Sequence, residues 1–321
     1  MPPRRVIGID AGGTKLLGGV VDEGLVVHHR VHRVWRGADR QETLDIFLEA
    51  VEEVRAAAPE VEAVGFGIPA LVEWETGVAR WSNHLPLEDV RFRDLMSERL
   101  GLPVVVDNDG NASVLAESRA GAGAGARHVV MVSLGTGIGT GLLLDGRVYR
   151  GSTGLGAELG HSVLDLHGAE CPSACPGRGC FETLVSGNAI GREGLRLAAE
   201  RPDSALGRRL AAGREITGGI VTELAHSGDE VSRGVLAEVG GRLGYGLVGV
   251  VNVFNPEVIV IGGGAIRAGE LLLEPARAVL FERAMPPVRE GVRLVPAHFG
   301  DEAGMMGAAL LAFDYLAEAS A

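Results

Sequence analysis

All three cysteines of the chain, Cys171, Cys175 and Cys180, lie in the stretch GHSVLDLHGAECPSACPGRGC, and His161 lies ten residues before the first. Three thiolates and one imidazole make a closed tetrahedral shell for Zn²⁺. Gly177 and Gly179 let the chain curl around an ion, and Pro172 and Pro176 stiffen the loop. Four protein ligands leave no open position, so the expected zinc is structural. An odd cysteine count also argues against a secreted disulfide framework. Such a knuckle would fix its neighbours Glu158 and Glu182. His161 can bind a metal through one ring nitrogen and offer the other to a ligand. Together with Ser82, Asn83 and His84 these groups would form a polar cup suited to a molecule with several hydroxyls.

A second constellation is the acidic turn DNDGN at residues 107–111. Its D-x-D-x-N start imitates a calcium loop, but the sixth position is Ala112 and the twelfth is Ser118, which excludes an EF-hand. Two readings remain: a helix N-cap, or a site where Asp109 takes the proton of a hydroxyl attacking phosphorus. Two glycine turns, DAGGTK and LGTGIGTG, qualify as phosphate cradles because backbone N–H groups can approach an anion without an intervening Cβ. Each is equally readable as a plain hairpin turn. The Walker A order fails, since Thr14 precedes Lys15. The dinucleotide fingerprint fails at Gly135 and at Gly262, whose sixth positions are Thr140 and Arg267. Asp10, beside the first turn, could hold Mg²⁺ or its waters, or simply cap the turn. The run IVIGGGAI could receive a nucleoside at the end of its strand, or be a tight strand-to-helix turn.

The motifs GIDAGGTK, DNDGNASVLAE, LGTGIG and GAELGH followed by CPGRGCFE resemble the ROK (repressor, open reading frame, kinase) family of sugar kinases, in particular its bacterial glucokinases. The resemblance covers nearly the whole chain. It implies an α/β, actin-like ATPase (ribonuclease H-like) fold, with two domains around a central cleft. It implies ATP at the glycine turns, on Asp10, Gly12, Gly13, Thr14, Lys15, Gly135, Thr136 and Gly137, with adenosine near Gly262, Gly263 and Gly264. It makes Asp109 the catalytic base. Asn83, Asn108, Glu158, His161 and Glu182 become sugar contacts, and His161, Cys171, Cys175 and Cys180 the zinc ligands. One departure stands out: residues 172–174 separate the first two cysteines where the family has one residue. Cys175 and Cys180 keep the family spacing.

These groups need elements to position them. Residues 6–27 and 129–149 repeat one pattern, an apolar strand, a Gly/Thr turn, a second apolar strand and an acidic-Gly turn, 122 positions apart. Two related hairpins suggest two related domains. Residues 41–58 place Leu44, Phe47, Leu48, Val51 and Val54 on one helical face. Residues 61–70 and 102–109 read as strands, 92–101 as a short helix ending at Gly101, and 112–120 as a helix. The chain is helix-rich from the cysteines to about Val253, residues 256–266 hold a buried strand, and 301–318 form a last helix. The expected division is a small domain of residues 1–109, joined by the terminal helix 301–321. A large domain of 110–300 would carry the zinc knuckle and most of the dimer surface.

Composition narrows the function. The net charge is −12 and no basic run is present, so neither nucleic acid nor an anionic membrane is the expected partner. Lys15 is the only lysine, and it sits in a glycine turn. No run of eighteen residues is uniformly apolar, and no signal-peptide core precedes the first strand, so a cytoplasmic location is expected. The reading is an enzyme that phosphorylates the 6-hydroxyl of glucose with ATP and Mg²⁺, giving glucose 6-phosphate and ADP, as a homodimer or homotetramer. The nearest alternative is a kinase of another hexose: mannose, N-acetylmannosamine or fructose. A sugar-binding transcription regulator is less favoured, since Asp10 is already the tenth residue, which leaves no room before it for a DNA-binding helix-turn-helix.

Overall fold

The computed structural model describes residues 3–12, 15–35, 37, 39–172 and 175–320. The chain divides into two compact units, one of Met1–Arg127, Gly141–Ala157 and Ala297–Ala321, the other of His128–Thr140 and Glu158–Pro296. In chain order the elements are β1 (Arg5–Ala11), β2 (Lys15–Asp22), β3 (Val27–Val34), α1 (Arg40–Ala57), β4 (Val64–Ile68), β5 (Leu71–Glu73), β6 (Val78–Trp81), α2 (Phe92–Leu100), β7 (Val104–Asn108) and α3 (Asp109–Ala120). There follow β8 (Val129–Leu134), β9 (Ile138–Leu144), β10 (Arg147–Val148), α4 (Phe181–Val185), α5 (Gly187–Glu200), α6 (Ala205–Ala211), α7 (Gly218–His226) and α8 (Glu230–Phe254). The chain ends with β11 (Val258–Gly262), α9 (Glu270–Arg283), α10 (Pro286–Arg289), β12 (Arg293–Pro296) and α11 (Ala303–Ala319).

The first sheet has the order β3-β2-β1-β4-β7, antiparallel through the β1–β2–β3 meander and parallel from β1 across β4 to β7. Both faces of β4 are buried, which is why VGFGI is a continuous apolar run rather than an alternating one. On one face α1 and α2 close a core in which Phe47 meets Trp35, Phe66 and Phe92 with ring centroids 5.2 to 6.2 Å apart. On the other face lie α3 and α11, with Ala112, Ala116, Met305, Met306 and Ala309 at the contact. The second sheet has the order β10-β9-β8-β11-β12, with β8, β11 and β12 parallel.

Both expected hairpins are present, and the terminal helix does pack on the first sheet. The expected boundary at residue 109 differs from the observed one. Helix α3 stays with the first unit because its apolar face is buried against α11, so the first chain crossing comes at residue 127. Helix α3 also starts at Asp109, three residues before the expected 112, because Asn108 caps it. By length and composition α8 would suffice to cross a membrane. Its buried face, including Val235, Leu236, Val239, Leu243, Leu247 and Val251, packs against α4, α5, α7 and α9, while Tyr245 and Val253 are exposed.

Candidate functional site

In the first unit the parallel strands β1, β4 and β7 finish side by side. Asp10 pairs with Gly67, and Ile68 with Asn108, so Asp10 and the turn 108–109 share one edge of the sheet. Carboxyl ends of parallel strands are where open α/β sheets bind ligands. Asn108 has extended backbone, φ −62 and ψ 143, and its Oδ1 accepts the N–H of Gly110 at 2.8 Å and of Asn111 at 3.4 Å. Its Nδ2 donates to the Ala70 carbonyl at 3.3 Å. Asn108 is therefore the N-cap, and the adjacent Asp109 opens the helix with its Oδ1 accepting the Gly110 N–H at 3.0 Å. The cap, Asn108, and the candidate base, Asp109, are neighbouring residues of the same turn.

Burial pushes the Asp109 carboxyl up from the usual carboxylate range, against the pull of the Gly110 N–H and of His84. Asp10 is pushed up to about 8, by burial first and then by the like charges of Asp109 and Asp301. Its carboxyl lies against the first turn of α11, where any side chain at Gly304 would meet it. Asn83 is half-buried on the segment after β6. That segment is folded by Ser82, whose hydroxyl donates to the Pro69 carbonyl at 2.6 Å and accepts the N–H of His84 and Leu85 at 3.1 and 3.0 Å. Residues 69–70 thus hold both the Asn83 segment and Asn108. Gly12 and Lys15 flank the first glycine turn, with Lys15 exposed at the start of β2; Gly13 and Thr14 lie outside the described residues.

In the second unit His161, Cys171, Cys175 and Cys180 converge, with one ligand atom from each within 4.8 Å of all the others. With Zn–S near 2.3 Å and Zn–N near 2.0 Å, the donor atoms of one tetrahedral shell lie roughly 3.5 to 3.8 Å apart. Cys171 Sγ and His161 Nδ1 are 3.6 Å apart, so the donor set fits zinc. The lengthened spacing does not keep Cys171 away from the group, although two of its residues, Ser173 and Ala174, lie outside the described residues. The loop closes on itself through bridges between Val163 and Cys180 and between Glu170 and Arg178, with the Cys171 N–H on the Gly177 carbonyl at 2.9 Å. His161 belongs to a 3-10 turn, Leu159–His161, that follows the exposed Glu158 and is pinned by the Leu159 N–H on Thr140 Oγ1 at 3.2 Å.

Glu182 joins the knuckle to the second glycine turn. It is buried, lies 3.7 Å from Cys171 Sγ through Oε1, and accepts the Ile138 N–H through Oε2 at 2.9 Å. Its carboxylate occupies the space a side chain at Gly137 would need. The turn of Gly135, Thr136 and Gly137 ends β8, and the run Gly262, Gly263 and Gly264 ends the neighbouring β11, where Gly262 pairs with Ser133. The Gly135 carbonyl receives the Gly187 N–H at 2.8 Å, which brings the start of α5 to the same edge. The two glycine runs thus stand at adjacent carboxyl ends of parallel strands, the place where open α/β sheets bind ligands.

Sequence reasoning missed three groups: Asp301 beside Asp10, Arg150 on Asp107, and buried Glu117. Asp107 and Glu117 stand inside a motif already singled out. Arg150 carries no local signal, since its partner is 43 residues away.

Two units, each a sheet with parallel strands and a glycine turn, the first with Asp10 and Asp109 at its strand ends, define an actin-like ATPase fold. The ROK family model matches residues 6–315, and the chain belongs to the ROK family. It is 35% identical to a glucokinase of Thermotoga maritima over 96% of this chain and 97% of that one. It is 30% identical to a putative xylose repressor of Caldicellulosiruptor sp., over 97% of this chain and 79% of the repressor. Among solved structures, a ROK family glucokinase from Streptomyces griseus in complex with glucose and AMPPNP superposes with a TM-score of 0.88 at 32% identity, over 97% and 99% of the two chains.

Proposed function

We propose that the protein transfers the γ-phosphoryl group of ATP to the 6-hydroxyl of glucose in the cytoplasm, giving glucose 6-phosphate and ADP. The observation that carries the reading is Asp109. It stands at the end of β7, on a rigid cap, with burial raising its proton affinity toward the working pH of a general base. Asp109 accepts the hydroxyl proton as the hydroxyl oxygen bonds to the γ-phosphorus. The bond from that phosphorus to the bridging oxygen breaks, and ADP leaves with the electron pair. Asn83, Asn108, Glu158, His161 and Glu182 orient the sugar, and the Gly135–137 and Gly262–264 turns bind the nucleotide. Asp10 would hold Mg²⁺ with its waters; when bound, that ion neutralises phosphate charge, and three crowded carboxyls at Asp10, Asp109 and Asp301 suit a cation. His161, Cys171, Cys175 and Cys180 would hold a structural Zn²⁺ that fixes the His161 ring and Glu182.

The glucokinase relatives support glucose, and the repressor relative supports a second reading, a protein that binds a sugar and transfers nothing. A sensor needs no base, so Asp109 separates the two. Asp109→Asn should lower turnover by about 10²- to 10⁴-fold while glucose affinity stays within a few-fold. Coupled ADP release across glucose, mannose, N-acetylmannosamine and fructose should give the highest kcat/KM with glucose. Hexose binding without ADP release from any of them would favour the sensor.

A further inference from the structure

Arg150 follows β10 and belongs to no constellation the sequence suggested. Its Nε and Nη2 lie 2.8 and 2.7 Å from Asp107 Oδ2, and its guanidinium carbon lies 3.7 Å from the centroid of the Trp74 ring. Asp107 is buried and Arg150 is largely covered, the side chains being 1% and 17% exposed. Asp107 uses its other oxygen, Oδ1, to accept the Asn108 N–H at 2.8 Å and Asn111 Nδ2 at 2.9 Å. Asn111 is itself buried, and among the described residues its Oδ1 has no hydrogen-bond partner, so its amide is held through the Nδ2 bond to Asp107.

A buried ion pair is weak evidence for stability, because desolvation offsets much of the attraction. What it provides is geometry. Arginine combines a planar fork for a carboxylate with a flat face that stacks on an aromatic ring, and lysine offers neither. Each partner of Arg150 leads directly to a proposed sugar contact. Trp74 lies in the β5–β6 hairpin, which runs on to Asn83; Asp107 precedes Asn108 and Asp109.

We infer that Arg150 is a positioning residue: paired with Asp107 and stacked on Trp74, it fixes the turn bearing Asn108 and Asp109 against the hairpin leading to Asn83. The inference deepens the kinase reading and rests on it for the role of Asp109.

The test compares Arg150→Met, Arg150→Lys and the double variant Asp107→Asn/Arg150→Met with the unaltered chain. The double variant leaves no unpaired buried charge and so keeps the test open if the single variant does not fold. Hydrogen exchange by mass spectrometry reads the peptides spanning 82–85 and 107–111, and steady-state kinetics reads kcat and KM. In the folded methionine variants both peptides should exchange at least about tenfold faster, and kcat should fall about 100-fold with KM for ATP within about twofold, as expected for misplaced reacting groups. Arg150→Lys should recover only part of the loss. Unchanged exchange in both peptides of the double variant overturns the inference, as does faster exchange with unchanged kcat. If the unaltered chain phosphorylates no hexose, the kinase reading falls, and the exchange measurements still decide whether Arg150 holds the two segments.

Discussion

Asp10 shows how one carboxyl ties the site to solution conditions. Its folded pKa, about 8, is raised above the ordinary value of 3.8, so the folded state prefers the protonated acid. The contribution to stability is therefore full below the ordinary value and is lost as pH rises through 8. Without Mg²⁺ and nucleotide, the melting temperature should fall between pH 5 and pH 9. Asp10→Asn should flatten that fall and match the unaltered chain near pH 4. Parallel melting curves for the two proteins across this range would remove Asp10 as the cause. The type and spacing of Asp10, Asn108, Asp109 and the cysteine knuckle were legible in sequence, because each lies in a short motif with its own chemistry. Asp301 and Arg150 were not, because only folding brings them beside Asp10 and Asp107.

Among the elements, α3 depends on a residue outside the proposed chemistry. Buried Glu117 accepts the N–H groups of Ala122, His298 and Phe299 at 2.8, 3.0 and 2.8 Å, tying the end of α3 to the segment that leads into α11. Glu117→Ala leaves three donors without their partner, which should cost at least about 3 kcal/mol. Calorimetry should read this as a drop of roughly 5–10 °C in Tm. The knuckle makes a separate prediction. The purified chain should carry about one zinc by elemental analysis, as a closed four-ligand site requires. Cys180→Ser should lose the metal and open residues 160–180 to protease; a zinc-free, fully active preparation would contradict the assignment. Long periodic helices such as α1 were readable within a residue or two. The edge strand β3 was not, because its sequence VHHRVHRV buries only Val31, and β5 and β6 are too short to show a period.

For the molecule as a whole, the repeated hairpin correctly pointed to two units, but the boundary between them was beyond the sequence. Local patterns show where elements begin and end, whereas membership of a unit depends on which distant faces pack together. Helix α3 reads as the start of a new domain until α11 is seen covering it. Removing residues 303–320 should strip the β1–β4–β7 face of its cover and leave an insoluble product, whereas a cut within an exposed loop should not. Long-range closure of this kind also slows folding.

That last helix sets a timetable for biosynthesis. The strand that bears Asp10 and the strand that leads into Asp109 are made early, yet their sheet waits for α11, some two hundred residues after β7, to cover one face. The half of the protein made first is therefore the half completed last, and chaperones that guard apolar surface on nascent chains should be found on it until translation is nearly over.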